Sequence, residues 1–153
     1  MLQPGRMVLA GADLEYLPEF LTPADADKLL AALLAEVPWQ RPVVQLFGRT
    51  FRSPREAAWY GDTGAVYRYS GLVNEPLPWL PNLDVLRRQI EHRAGQSFNS
   101  VLLNLYRDGA DSMGWHRDRE PELRENPTIA SISLGGSRRF VLQHFRQVDM
   151  RRL

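Results

Sequence analysis

The sequence predicts an α+β fold, with two helices in the first two thirds of the chain and antiparallel strands in the last third. Of its 153 residues, 44% are hydrophobic and 24% are charged, which is ordinary for one folded globular domain. Helical segments come first and strand-like segments follow, an order typical of α+β proteins built on a sheet. The chain has no cysteine, which excludes disulfides, thiolate metal sites and cysteine nucleophiles.

The first helix is predicted over residues 23–37. Thr22 has the character of an N-cap, Pro23 suits the first helical position, and Pro38 stops the helix. A second helix is predicted over 82–94, with Gly95 as its C-terminal stop. Both helices are interpreted as scaffold, without chemistry of their own.

Three strands are predicted in the second half of the chain, near residues 98–106, 128–134 and 139–145. The tripeptide Gly135-Gly136-Ser137 predicts a turn between the last two. A polar, charge-dense loop separates the first two strands. We therefore expect side chains at the end of the first strand and in that loop to meet at one edge of a sheet.

Charge and hydropathy limit the location and the partners of the chain. The net charge of +1 is too small for bulk attraction to nucleic acid, although residues 41–107 and 127–153 each carry a net +4. No apolar run approaches the roughly 18–20 residues that a membrane span needs, and the N-terminus lacks the pattern of a signal peptide. We expect a cytoplasmic protein, or a nuclear one in a eukaryote, with no membrane contact and no protein partner.

His116 and Asp118 are the first candidates for chemistry. Residues two apart in an extended segment project to the same side, so both side chains can reach one ion. With a second histidine they would form the facial triad that holds non-haem Fe(II). The spacing alone is a weak signal, and the alternative is an ion pair in an exposed loop.

Asn104 and Tyr106 share one face of the preceding predicted strand. An amide and a phenol that point into a core need polar partners, because an unpaired buried polar group costs roughly 1–3 kcal/mol. A small ligand with a carboxylate would supply such partners. The alternative is structural hydrogen bonding within the sheet.

Two upstream groups suit a nucleic acid. Tyr67 and Tyr69 share a strand face and could stack on a planar base. Basic residues recur at every third position beside Phe47: Arg49, Arg52 and Arg55. The alternatives are ordinary aromatic packing for the tyrosines and a solvated loop for the arginines.

Three segments together resemble the AlkB family of Fe(II)- and 2-oxoglutarate-dependent nucleic-acid dealkylases, and most closely its branch that repairs duplex DNA. They are Leu46–Leu72, Leu102–Leu123 and Ile129–Leu142, and the likeness extends from about Val44 to Phe145. The resemblance implies a double-stranded β-helix (jelly-roll) with N-terminal and flanking helices. It also implies a dioxygenase that removes N-linked methyl groups from bases in DNA.

The resemblance also implies roles for individual residues. His116 and Asp118 match iron ligands, and Asn104 and Tyr106 match the pair that binds the cosubstrate 2-oxoglutarate. The positions that match the family's contacts to the flipped base and its surroundings are Tyr67, Tyr69, Ser70, Glu120, Phe47 and Arg55. Flipping is needed because an oxidant on the iron cannot reach a methyl group inside a stacked duplex.

The family pattern continues with a second iron-binding histidine and a cosubstrate-binding arginine, several tens of residues beyond the last predicted strand. His144 comes too early to match that histidine. We therefore expect residues 1–153 to form one dioxygenase domain that is incomplete at its C-terminus, and expect the chain alone to be inactive. The alternatives are an inactive nucleic-acid-binding remnant and a relative that acts on RNA or protein.

Overall fold

The computed structural model describes residues 4–9, 12–46, 49–69, 72–116 and 127–143. Within these residues, two helices lie among eight short strands: β1 Gly5–Leu9, β2 Ala12–Tyr16, α1 Pro23–Glu36, β3 Val43–Leu46, β4 Arg49–Arg52, β5 Glu56–Gly61, β6 Tyr67–Tyr69, β7 Leu72–Asn74, α2 Pro81–Ala94 and β8 Ser100–Leu105. The described strands form four two-stranded antiparallel sheets, β1–β2, β3–β4, β5–β8 and β6–β7. Antiparallel strands with helices agree with the predicted α+β class.

The chain forms two compact units. The first comprises Met1–Ala35 and Ile132–Leu153, and the second comprises Glu36–Ser131. The first unit contains β1, β2 and most of α1, and the second contains β3 to β8 and α2. All described candidate site residues belong to the second unit.

Helix α1 confirms the prediction for residues 23–37. The Thr22 hydroxyl accepts a hydrogen bond from the Asp25 amide at 3.2 Å and donates one to the Asp25 carboxylate at 2.7 Å. These contacts satisfy an otherwise unpaired amide of the first turn. Leu33 is buried on the inner face, whereas Leu34 stays 49% exposed.

Helix α2 confirms the second predicted helix. Pro81 occupies its first turn, and Gly95 ends it in the left-handed conformation, with φ +62° and its amide donating to the Glu91 carbonyl. A left-handed residue at this position is inexpensive only for glycine. Leu83, at 3% exposed, is the anchor of the helix in the core.

The pair β5–β8 is the centre of the second unit. It aligns six residue pairs, from Glu56 opposite Leu105 to Gly61 opposite Ser100. Tyr60 is only 2% exposed, and burial raises the pKa of its phenol, with a further contribution from the Glu36 carboxylate. Strand β8 confirms the strand predicted near 98–106.

The close approach of β5 to β8 depends on Gly61. A Cβ at this position would lie 2.8 Å from the Asn99 carbonyl oxygen and 2.9 Å from the Ser100 Cβ. Both distances are too short for any side chain, so β5 can lie this close to β8 only with glycine here.

The structure of residues 127–143 differs from the sequence prediction of strands, because this segment forms no strand. The strand predicted near 128–134 is wrong, as is the part of the strand near 139–145 that is described; residues 144–145 lie outside the described residues. A strand requires hydrogen bonds to a neighbouring strand, and no described strand pairs with this segment. Most of its apolar side chains are exposed, with Phe140 at 69%, whereas Ile132 and Leu134 are half-buried. The backbone does bend at Gly135, where φ is +76°.

Among the described residues, neither helix has the length and apolar character needed to cross a membrane.

Candidate functional site

The β5–β8 ladder holds Asn104 at the centre of the second unit. Asn104 lies opposite Ala57, which is buried at 8% exposed. The Ala57 amide also donates to the Gln40 carbonyl at 2.8 Å, so β5 is held on both sides at this point. The ladder therefore fixes the backbone of Asn104, from which its side chain extends.

Arg55 directly precedes β5 and contacts Asn104. Its Nε donates to the Asn104 Oδ1 at 2.6 Å, and its second guanidinium branch donates to the Ser53 hydroxyl at 3.3 Å. Arg55 is 7% exposed and Ser53 is 4% exposed. Arg49 and Arg52, by contrast, are exposed on β4. The regular spacing of the three arginines suggested that all of them form one basic edge. Arg49 and Arg52 are exposed together on β4, whereas Arg55 is buried.

Tyr106 follows β8 and starts the loop that leads to His116. Its hydroxyl lies 3.9 Å from the sulfur of Met113, within the same loop. The side chains of Asn104 and Tyr106 are both half-buried. Asn104 lies within β8 and Tyr106 directly follows that strand, and their shared role stays a prediction.

The loop after Tyr106 is tied down by Asp111. This carboxylate is 5% exposed and accepts from the Arg107 backbone amide at 2.9 Å, from Arg107 Nε at 2.8 Å and from the same guanidinium at 2.7 Å. Arg107 also lies 3.7 Å from the Glu56 carboxylate on β5. The Arg107 hydrogen bonds hold the pKa of Asp111 well below its usual range, and Asp111 in turn raises the pKa of Arg107.

His116 lies exposed at the end of the described part of this loop. Its Nδ1 lies 3.0 Å from the Gly114 carbonyl oxygen. A carbonyl only accepts, so Nδ1 carries the proton in this contact, and in the neutral imidazole the lone pair is then on Nε2. This is the form in which a histidine binds a metal through Nε2.

Several predicted site residues lie outside the described part of the chain: Asp118, Glu120, Ser70 and Phe47. The backbone of Tyr67 and Tyr69 forms β6, paired with β7, but their side chains are likewise outside it. Within the described residues, no cluster of three His, Asp or Glu side chains is assembled for a metal ion. The roles assigned to these residues stay predictions.

Comparison with known proteins decides the family. The model of the 2OG-Fe(II) oxygenase superfamily matches residues 13–152. The chain belongs to this superfamily. The DNA oxidative demethylase ALKBH2 of Bos taurus is 42% identical over 143 residues, which are 92% of this chain and 51% of that protein. Its Homo sapiens counterpart is 44% identical over 79% of this chain and 48% of its own length.

A second group of relatives carries a related name. The alpha-ketoglutarate-dependent dioxygenase alkB homolog 3 of Bos taurus is 42% identical over 82% of this chain and 44% of its own length. The chain thus spans about half the length of the curated relatives it matches. The AlkB resemblance drawn from the sequence is confirmed.

The described residues fit the groups that give the 2OG-Fe(II) oxygenase superfamily its name. An amide and a phenol, Asn104 and Tyr106, are donors suited to the carboxylates of 2-oxoglutarate. The buried guanidinium of Arg55 gives the same region a positive charge. His116, in the tautomer with its lone pair on Nε2, and the carboxylate of Asp118 are the ligand types that non-haem Fe(II) takes.

Sequence reasoning missed the residues that support this site. The Arg107–Asp111 contact could have been suspected from its spacing of four residues and from the Asp-Gly turn signal between them. The contact of Arg55 with Asn104 had no local signal, because 49 residues separate the two.

Proposed function

We propose that this chain carries the core of an enzyme that oxidatively removes N-linked methyl groups from bases in DNA, with Fe(II), oxygen and 2-oxoglutarate. The observation that carries the proposal is the 42% identity, over 92% of the chain, to a relative named as a DNA oxidative demethylase. The contact of Arg55 with Asn104 and the contact of His116 with the Gly114 carbonyl are compatible with it. We also propose a jelly-roll architecture, a single dioxygenase domain and a place of action wherever the cell keeps its DNA.

The chain's own residues would bind and orient the reactants. When bound, the Fe(II) supplies oxygen activation, driven by oxidation of 2-oxoglutarate, and the oxidised methyl group leaves as formaldehyde. His116 and Asp118 would hold the ion, and the Gly114 carbonyl keeps the imidazole in the metal-binding tautomer. Asn104 and Tyr106 would hold the carboxylate end of 2-oxoglutarate.

The loop that joins β8 to His116 would hold the proposed metal ligand His116 at a fixed position relative to the proposed cosubstrate residues Asn104 and Tyr106. Asp111 binds both the backbone and the side chain of Arg107, and the Ser112 amide donates to the Pro54 carbonyl at 3.1 Å. These contacts attach the loop to the segment that precedes β5. Tightly held supporting residues of this kind preserve the geometry that a catalytic site needs.

The substrate side is proposed to include β3–β4. Arg49, Phe51 and Arg52 are all exposed on β4, with Phe51 at 49%. Exposed arginine and aromatic side chains suit phosphates and unstacked bases. Phe47 would fill the gap left by a flipped base, while Tyr67, Tyr69, Ser70 and Glu120 would contact the base itself.

The test is demethylation of a duplex oligonucleotide that contains one N-methylated adenine or cytosine. Formaldehyde release and the mass of the repaired strand are measured for this chain joined to a family-like C-terminal segment, and for H116A and a surface control, R88K, made in that same protein. Arg88 is 74% exposed on α2 and far in sequence from every proposed site residue. We expect H116A to abolish repair and R88K to retain it. Repair by H116A at the unsubstituted rate would overturn the assignment of the metal site.

A second candidate function is DNA binding without oxidation, which the exposed arginines and phenylalanine of β4 also support. The two candidates differ in their use of 2-oxoglutarate. Saturable 2-oxoglutarate binding that depends on a divalent metal supports the dioxygenase. Tight DNA binding with no 2-oxoglutarate binding favours the second candidate.

A further inference from the structure

The partners of Arg55 are unusual for a buried cation. Arg55 is 7% exposed, and its guanidinium donates to an amide oxygen and a hydroxyl, both neutral. In the described part of the chain, Arg55 has no carboxylate within 4.0 Å. A buried charge is costly unless hydrogen bonds or an opposite charge compensate it. Arg55 therefore has hydrogen-bond partners, but the described residues supply it with no counter-charge.

We propose that Arg55 is a positioning residue that fixes the orientation of the Asn104 amide and so prepares it to donate to a carboxylate of 2-oxoglutarate. This inference rests on the cosubstrate role proposed above for Asn104. It assigns Arg55 to the cosubstrate site in place of the DNA-facing loop that the resemblance suggested.

The orientation follows from donor and acceptor chemistry. A guanidinium only donates, whereas an amide has an accepting oxygen and a donating NH2 group. The Asn104 oxygen must therefore face Arg55, at 2.6 Å. The NH2 group then lies on the other branch of the amide, where the described residues supply it with no partner. A carboxylate only accepts, so this is the orientation that can bind it.

The segment that carries Arg55 is held firmly. The Ser53 amide donates to the Pro42 carbonyl at 2.8 Å, and Arg41 donates two bonds to the Ser53 carbonyl, at 3.2 and 3.3 Å. The Pro54 carbonyl accepts from Ser112 on the loop beyond β8. The guanidinium is thus presented to Asn104 by a backbone fixed on both sides.

The charge of Arg55 acts in the same direction as its hydrogen bond. A dianion that binds at Asn104 would supply the counter-charge that the guanidinium lacks, and attraction between charges is stronger at a buried site than in water. A lysine at this position would keep the charge and the donor-only character. A glutamine would lose both properties, because its amide is neutral and can accept hydrogen bonds as well as donate them.

The first test measures the affinity of the intact protein for 2-oxoglutarate by calorimetry, with Mn(II) in place of Fe(II) to prevent turnover. R55K should stay within about threefold of the unsubstituted protein, and R55Q should bind about tenfold more weakly, as expected for one charge-assisted hydrogen bond. R88K is the matched surface control and should change nothing. Equal affinity of R55Q and the unsubstituted protein would overturn the proposal.

N104D separates positioning from simple structural support. Aspartate would pair more strongly with Arg55, so the folded state should be retained, yet it has no donor left for a carboxylate. We expect N104D to lose 2-oxoglutarate binding without losing thermal stability. If N104D binds 2-oxoglutarate normally, the cosubstrate role of Asn104 fails; if N104D fails to bind but R55Q binds normally, only the role of Arg55 fails.

A readout without any ligand comes from NMR. The two side-chain NH2 protons of Asn104, identified by their loss in N104D, report on the bond made by the neighbouring oxygen. Their resonances should move in R55Q and stay close to their original positions in R55K. Unchanged resonances in R55Q would contradict the proposal. So would R55Q variants that lose DNA affinity while they keep 2-oxoglutarate affinity, since Arg55 would then contact DNA.

Discussion

The β1–β2 and β5–β8 pairs are antiparallel ladders of nearly equal length, five and six residue pairs, yet they differ in everything that surrounds them. In β1–β2 most side chains are exposed, including Val8 at 79% and Tyr16 at 41%. In β5–β8, Ala57, Tyr60 and Gly61 are buried. The ladder hydrogen bonds are equivalent in type, so we expect the two pairs to differ in stability through packing.

Each region also contains an arginine–aspartate contact, and these differ in the same way. Arg6 and Asp13 join β1 to β2 with side chains that are 71% and 54% exposed. The Asp111 side chain is 6% exposed and accepts from the Arg107 backbone as well as from its guanidinium. A charge pair with added hydrogen bonds and little water around it fixes a loop, whereas an exposed pair is screened.

The largest expected effect is at Tyr60, the buried aromatic residue of β5. Tyr60→Ala should lower the free energy of unfolding by about 3–5 kcal/mol, the usual cost of deleting a buried aromatic side chain. Tyr16→Ala, on β2, should change it by about 0.5 kcal/mol or less. Urea unfolding followed by tryptophan fluorescence measures both. Similar losses for the two variants would show that β1–β2 is packed as tightly as β5–β8.

Next in size is the close approach of the strands at Gly61. Gly61→Ala should lower the free energy of unfolding by about 1–3 kcal/mol, because the new methyl group would collide with the backbone and side chain of β8. Gly109→Ala is the control, since a Cβ there would meet nothing within 4 Å. A neutral Gly61→Ala would mean that the two strands separate without cost.

A smaller effect is expected on the pH dependence of stability. The folded-state pKa of Asp111 is lowered by Arg107, so its carboxylate stabilises the fold above the unfolded pKa of about 3.9, and this contribution is lost as the pH falls towards the folded pKa. Asp111→Asn should therefore be less stable at neutral pH and should show a flatter loss of stability below about pH 4. Urea titrations across that pH range measure the slope. An unchanged acid slope would show that Asp111 is not linked to folding.

The smallest effect is expected at the exposed pair of the β1–β2 hairpin. Arg6 lowers the pKa of Asp13 through the same kind of hydrogen bond. Because water and salt surround both groups, Arg6→Ala should leave the unfolding midpoint unchanged in high salt. A destabilisation that persists in high salt would place this pair in the same class as Arg107–Asp111.

The elements that the sequence predicted correctly are those with local causes. Thr22 and Pro23 start α1, and Gly95 ends α2, through contacts within one helical turn. Strand β8 was predicted from its own apolar and β-branched residues. The wrong strands, near 128–134 and 139–143, have the same local composition, but a strand also depends on a partner that its own sequence does not specify.

The candidate site also contains features with local causes and features that depend on distant parts of the chain. The grouping of Asn104 with Tyr106 was inferred from their spacing of two residues, which is a local pattern, and it stays a prediction. The interaction of Arg55 with Asn104 depends on the register of β5 against β8, which no pattern around either residue reveals. The β1–β2 hairpin went unpredicted although a two-residue gap, Ala10-Gly11, separates its strands.

The sequence separation within β5–β8 has a consequence for how the chain folds. A hairpin such as β1–β2 closes a short loop and can form in roughly 1–10 μs. Glu56 and Leu105 must instead meet across 49 residues, and the entropy of loop closure delays such contacts until other structure has shortened the effective loop. The Arg55–Asn104 bond spans the same distance. We therefore expect nascent or partly folded chains to lack this bond, and the Asn104 amide to take up its orientation only after β5 has paired with β8.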